Sequence, residues 1–433
     1  MTKPKAPPPA VNVVSFGCRL NQYEGEIIAR EAALAEAGPM VVINTCAVTA
    51  EAERQARQTI RKMRREQPEA RVVVTGCAAQ IDPGGYAAMA EVDLVIGNEE
   101  KLTAAAYRPA AAALAPGQHA EIRVNDIQSI RATAGQWADD RQDRARAFVQ
   151  VQTGCDHRCT FCIIPYGRGP SRSVPIGVIV DHVRRLVAAG TKEVVLTGVD
   201  ITSYGGDLPG TPTLGQMARR LLAQVPELPR LRLSSLDAVE MDEDLWHLLG
   251  HEPRLMPHLH LSLQSGEDLI LKRMKRRHLV ADAVAFCDRA RSLRPDIVFG
   301  ADLIAGFPTE TEAQFATTMA TVARCGLTYL HVFPYSARPG TPAARMPQVA
   351  PAARKRRAAQ LRAWGEDAQA RFLASQDGTE AECLVETPTR ARSPHFAPVT
   401  ITGGEPGALV RYRLRYTDDQ HLEGTLATVP AAA

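Results

Sequence analysis

Long apolar runs are missing from this sequence, and no stretch approaches the roughly 18 residues that a membrane-spanning helix needs. The amino terminus, MTKPKAPPPAV, has no apolar core of the about 7–15 residues that a signal peptide carries. A cytoplasmic protein with no membrane partner is therefore expected. Aromatic residues are scarce, at 5%, and there is no large excess of either charge. A net charge of +3 does not by itself imply a nucleic-acid partner. Disulfides are not expected in a compartment that keeps thiols reduced. Nine cysteines in such a chain point instead to metal ligands or catalytic thiols.

What is present, 45% hydrophobic and 23% charged residues, is an ordinary globular composition. A chain of 433 residues exceeds what one core supports, so two or three domains are expected. The cations come in runs. Arg54, Arg57, Arg61, Lys62, Arg64 and Arg65 form one, Lys272, Arg273, Lys275, Arg276 and Arg277 a second, and Arg354, Lys355, Arg356 and Arg357 a third. Each alone reads as a solvated helix face. Three together lean towards an anionic partner.

The first segment alternates strand and helix. Strands are expected at Val11–Phe16, Met40–Asn44, Arg71–Thr75 and Val92–Ile96, with helices over Tyr23–Ala37 and a basic stretch capped by Thr49 and ended by Pro68. Glu51 and Glu53 fall in that helix's first turn, where the dipole favours anions. The rhythm implies an N-terminal doubly wound parallel α/β domain over 1–125, followed by a linker at 126–145. From 146 to 374 the strand–helix unit repeats six times, with strands at Phe148–Gln152, Glu193–Thr197, Leu231–Ser235, His258–Leu263, Val298–Leu303 and Tyr329–Phe333. Six units fall short of a full (β/α)8 barrel, so a central partial (β/α)6 TIM-like barrel is expected. Residues 375–433 change to short strands punctuated by Gly and Pro. Within them Val410, Tyr412, Leu414 and Tyr416 alternate with Arg411, Arg413 and Arg415, as in a small all-β barrel with one arginine face.

Two sets of cysteines carry chemistry. In TGCDHRCTFC, Cys155, Cys159 and Cys162 can hold three irons of a [4Fe–4S] cluster and leave the fourth open for redox chemistry on a bound substrate. A zinc site would want a fourth Cys or His close by, and His157, set between two ligands, is poorly placed for that. Cys18, Cys46 and Cys77 lie far apart in sequence, yet each directly follows an expected parallel strand. The carboxyl ends of such strands converge on one crevice, so a shared second cluster is expected there. Cys287, Cys325 and Cys383 sit within helical or strand patterns and read as packing residues.

The cysteine loop, including Phe161 before its last cysteine, resembles the cluster loop of radical S-adenosylmethionine (SAM) enzymes. The phrases FGCRLNQYEGE, INTCAVTAEAERQARQTIRK, VTGCAAQ, LTGVDITSYGGD, HLHLSLQSG, MKRRH, DLIAGFPTET and FPYSARPGT extend the likeness to the methylthiotransferase family over nearly the whole chain. The tail resembles the RNA-binding TRAM barrel of such enzymes. NTCAVT followed by an Arg-rich helix is similar to the branch acting on N6-threonylcarbamoyladenosine in tRNA.

The resemblance implies that Cys155, Cys159 and Cys162 hold the cluster that cleaves SAM to a 5′-deoxyadenosyl radical. It implies that Cys18, Cys46 and Cys77 hold an auxiliary [4Fe–4S] cluster that carries or donates the added sulfur. Two SAM per turnover are implied, one to methylate that sulfur and one to supply the radical. Gly198, Asp200, Ser235 and Gln264, at successive strand ends, are assigned to SAM, and Arg411, Arg413 and Arg415 to RNA. The implied partners are the tRNA anticodon loop, an electron donor such as flavodoxin or ferredoxin, and a sulfur source. Methylthiolation of isopentenyladenosine or of a ribosomal-protein aspartate is the alternative within enzymes. A non-catalytic iron–sulfur RNA-binding regulator is the alternative outside them.

Overall fold

The computed structural model describes residues 11–109, 120–131, 145–417 and 420–427. Most of the expected linker, 132–144, and the end of the tail, 428–433, lie outside the described residues. The chain packs as two compact units, and these are not continuous in sequence. The first contains the N-terminal segment together with Thr153–Arg172 and Ala337–Thr341, and the second contains the six-strand region and the tail.

In the first unit, β1 (Val11–Ser15), α1 (Arg19–Leu34), β2 (Met40–Thr45), α2 (Ala50–Glu66), β3 (Arg71–Gly76) and β4 (Leu94–Ile96) follow one another as expected. The Thr49 side chain caps α2 by accepting from the Ala52 amide at 3.1 Å. A fifth strand, β5 (Glu121–Arg123), pairs in parallel with β4. Three residues are too few to show a period, so the sequence reading draws no strand here.

Both faces of the sheet are covered, and the side chains of each strand alternate between them. Val41, Ile43, Val72 and Val74 pack with Ile60 of α2 and Tyr86. Val42, Val73, Leu94 and Ile96 pack with Ile28 and Ala32 of α1. The strand order is β1-β2-β3-β4-β5, following the chain without reversal. Hydrophobic period reveals a covered parallel sheet but not the order of its strands.

The second unit lays its six strands side by side in chain order. They are Ala147–Gln150, Glu193–Thr197, Arg230–Leu233, His258–Gln264, Val298–Ala305 and Leu327–Pro334. The first three form one parallel ladder and the last three another. Single bridges at Leu231–Leu255 and Leu236–Leu261 join the two halves. No ladder joins the first strand to the sixth among the described residues, so the barrel is partial.

Helix Pro351–Ala374 packs along the sixth strand and leads into a closed five-stranded barrel. Cys383, Val385, Val399, Tyr412 and Leu414 fill that barrel's core. It is fastened to the amino-terminal ends of the six strands. Buried Glu193 pairs with Arg146 at 3.0 Å and Arg232 at 2.9 Å. Arg146 continues to Glu386 at 2.6 Å, and Arg232 donates to the carbonyls of Ser393 and Pro394. Cys287, Cys325 and Cys383 are buried packing residues, as expected.

Candidate active site

The sheet order explains how three distant cysteines meet. β1, β2 and β3 are immediate neighbours, and their register pairs Ser15 with Asn44 and Thr45 with Gly76. Cys46 and Cys77 therefore each directly follow the last paired residues of adjacent strands, Cys77 as the first residue of a short helix, Cys77–Ile81. Gly17 is level with Cys46, and Cys18 lies one residue beyond. A side chain at position 17 would put its Cβ 2.6 Å from the Cys46 sulfur, and Gly17 also has φ +88°. Only glycine lets the two strand ends close in this way. The convergence comes from neighbouring strands in chain order and needs no switch point in the sheet.

Cys46 and Cys77 are buried, whereas Cys18 is exposed. Burial pushes the Cys46 thiol up to about 12. A thiol this weakly acidic would lose its proton near neutral pH only to a bound cation.

Beside the cysteines lies a buried polar network that sequence reasoning missed. Arg168 ends a short helix, Ile164–Arg168, that follows Cys162. It grips Glu24 of α1 with two hydrogen bonds, at 2.6 and 2.8 Å, and donates to the Asn21 side chain at 2.6 Å. From the other side Lys101 donates to Glu24 at 2.7 Å and to the Asn98 side-chain oxygen at 2.7 Å. Asn98 in turn donates to the Gly167 carbonyl and approaches the Cys77 sulfur at 3.8 Å. The side chains of Arg168, Glu24 and Lys101 are 3%, 4% and 0% exposed, so this charge is withdrawn from water. Burial alone would raise the Glu24 carboxyl, but Arg168 and Lys101 outweigh it and hold it at about 2. Two cations against one carboxylate leave one positive charge unmatched. A lone buried charge costs several kcal/mol unless it finds a partner. Three thiolates on an iron–sulfur core are such a partner, so this donor set fits a [4Fe–4S] cluster in both sulfur count and sign of charge.

The loop bearing Cys155, Cys159 and Cys162 is held by its own backbone. The Cys155 amide donates to the Gly169 carbonyl at 3.1 Å, and the Cys162 amide to the Cys159 carbonyl at 3.0 Å. Asp156 accepts from the Ser171 amide at 3.1 Å. All three cysteines are half-buried, as suits thiolates that hold a cluster while leaving one of its corners open. Tyr166, half-exposed, stands with Ile163, Gln80, Asn125 and Gln128 around a cavity of about 470 Å³ in the same unit.

In the second unit Gly198 and Asp200 follow the second strand, Ser235 follows the third, and Gln264 ends the fourth. Asp200 accepts from the Ser203 hydroxyl at 2.8 Å, and its amide donates to Gln152 at 2.9 Å. Gln264 has φ +68°, a strained conformation for glutamine, of the kind found at functional sites. Further down the last three strands, Asp302 lies 3.1 Å from His260 and 3.4 Å from His331. Isolated histidines within strand patterns did not reveal this group in the sequence.

The basic runs separate by role. Arg64 pairs with Asp93, Arg276 with Asp237 at 2.9 Å, and buried Arg357 with Glu310 at 2.7 Å, so part of each run is structural. In the tail, Arg411, Arg413 and Arg415 are exposed while Tyr412 and Leu414 between them are buried, as the alternation predicted. Arg415 pairs with Glu423 on the neighbouring strand.

Two family models match the chain: the Radical SAM superfamily over residues 149–322, and the family described as Uncharacterized protein family UPF0004 over residues 10–97. Threonylcarbamoyladenosine tRNA methylthiotransferase MtaB of Rickettsia prowazekii is 51% identical over 389 residues, covering 90% of each chain. The protein of the same name from Thermotoga maritima is 33% identical, covering 87% of this chain and 86% of its own. The radical SAM methyltransferase TsrM from Kitasatospora setae, solved with cobalamin and a [4Fe–4S] cluster, covers 73% of this chain and 68% of its own. Its TM-score of 0.53 at 15% identity is a likeness of fold alone. With such relatives along nearly its whole length, the chain belongs to the MtaB family of methylthiotransferases within the radical SAM enzymes.

Proposed function

We propose that the chain transfers a methylthio group to C2 of N6-threonylcarbamoyladenosine at position 37 of tRNA. The reading rests on 51% identity to a curated threonylcarbamoyladenosine methylthiotransferase across 90% of both chains. The enzyme uses a [4Fe–4S] cluster and SAM, which together supply a carbon radical able to attack a C–H bond that is neither acidic nor nucleophilic. Cys155, Cys159 and Cys162 would hold that cluster. Cys18, Cys46 and Cys77 would hold a second, the site of the sulfur to be transferred. Gly198, Asp200, Ser235 and Gln264 are assigned to orienting SAM.

Tyr166 offers an exposed aromatic face on which a nucleobase can stack, and the arginine face of the tail offers contacts to tRNA phosphates. Residues 1–125, 146–374 and 375–433 are taken as the methylthiotransferase, radical SAM and RNA-binding modules, joined by a linker at 126–145. No helix of the described residues is long and apolar enough to cross a membrane, and the reading places the enzyme in the cytoplasm. A flavodoxin or ferredoxin and a sulfur donor complete the set of partners.

The test is nucleoside mass spectrometry of tRNA from a strain lacking the gene, with and without complementation by this chain. The methylthio mark on threonylcarbamoyladenosine should disappear and then return. Loss of the mark from isopentenyladenosine instead would move the enzyme to the other tRNA branch.

A further inference from the structure

We propose that Arg168 is a positioning residue that sets the reduction potential of the cluster held by Cys18, Cys46 and Cys77. This rests on the second-cluster reading above and gives that site an electrostatic control. Arg168 lies on the segment following Cys162, yet its charge is spent on the N-terminal sheet. Its guanidinium holds both oxygens of Glu24 and the side chain of Asn21, which sits on α1 three residues after Cys18. Asn21 anchors the strand ends in turn, donating to the carbonyls of Phe16 at 2.8 Å and Thr45 at 3.0 Å, each within two residues of a cysteine. The preceding residue, Gly167, lies against Cys77, where an added Cβ would stand 3.1 Å from the Cys77 side chain.

The electrostatic consequence follows from the count of charges. Arg168 and Lys101 against Glu24 leave one net positive charge next to the sulfurs, at a depth where water screens little. Adding an electron to a cluster makes it more negative, so a fixed positive charge beside it favours the reduced form and raises its potential. Glu24 has two functions in this arrangement. It holds the two cations in place, and it limits how far they raise the potential.

The test uses the full-length chain carrying C155A, C159A and C162A, so that the only cubane present is the one on the N-terminal cysteines. It is loaded anaerobically and titrated against dithionite with EPR detection. R168Q should lower the midpoint enough to reduce the reduced-to-oxidised ratio at a fixed potential about tenfold. E24Q should move it the opposite way, and R168K should leave it near the parent value. A merely structural network would move the Arg168 and Glu24 variants in the same direction or release iron from both. Unchanged midpoints, or shifts of one sign, would overturn the proposal. If R168Q holds no iron, K101M, which removes the same charge from the far side, decides by the same criterion. A parent chain that takes up no cubane at all would instead remove the second-cluster reading.

Discussion

Cys46 is the residue on which the two-cluster account is most exposed. It sits at the centre of three neighbouring strand ends and is buried, so no other side chain can replace its sulfur. C46A is expected to lose about half the iron and sulfide of the anaerobically purified chain. It should still cleave SAM to 5′-deoxyadenosine and transfer no methylthio group. Iron and sulfide measured beside both activities check this, and unchanged iron content would exclude Cys46 as a ligand. Gly17 makes a subtler case, because its substitution leaves every ligand in place. In G17A the added Cβ meets the Cys46 sulfur and the backbone must hold a positive φ, so weaker cluster retention is expected with SAM cleavage intact. Tyr166 reports on substrate. If a base stacks on it, Y166A should weaken tRNA binding about tenfold, as a loss of roughly 1–3 kcal/mol implies. An unchanged dissociation constant would move the base elsewhere.

Among the elements, the joint between the six strands and the tail barrel is built on buried ion pairs. Burial alone would raise the Glu193 carboxyl, but Arg232, then Arg146 and Arg230, outweigh it and hold it below the usual range. A carboxylate depressed in this way stabilises the fold above its unfolded pKa, about 4.3, and the contribution disappears as pH falls through the lower folded value. E193Q leaves Arg230 and Arg232 buried without their shared anion and should cost about 3–5 kcal/mol of unfolding free energy at neutral pH. Denaturant titration at pH 7 and again near pH 3 checks both parts, since the gap between variant and parent should narrow in acid. An equal gap at both values would mean that the carboxylate's charge is not what holds the joint. The same joint shows why the basic residues could not be sorted from sequence. Arg230 and Arg232 form no conspicuous run, yet they are buried ion-pair partners. Arg357, inside a run, is buried as well.

For the whole molecule, the tail barrel is fastened at the amino-terminal ends of the six strands, whereas Gly198, Asp200, Ser235 and Gln264 lie at their carboxyl ends. Arginines 411, 413 and 415 are therefore expected to contact tRNA away from the target base and to add affinity without choosing the nucleotide. Replacing all three by alanine should flatten the salt dependence of tRNA binding by about two to three counterions, with the identity of the modified base unchanged. An unchanged slope in a filter-binding series would show that these guanidiniums are only solvated.

Much of this was legible in the order of residues alone. The Cys155, Cys159 and Cys162 loop, the parallel strands, the six-unit barrel and the alternating arginine face follow from local spacing and hydrophobic period, and Cys18, Cys46 and Cys77 were grouped only by their shared place after expected strands. These are properties that neighbouring residues impose on one another. The adjacency of β1, β2 and β3, the capture of the Thr153–Arg172 loop by the N-terminal sheet, and the buried Arg168–Glu24–Lys101 charge balance emerged only in the tertiary structure. Each depends on groups distant in sequence, such as Glu24 and Arg168, 144 positions apart, whose meeting is set by packing and by the cost of burying charge rather than by local pattern.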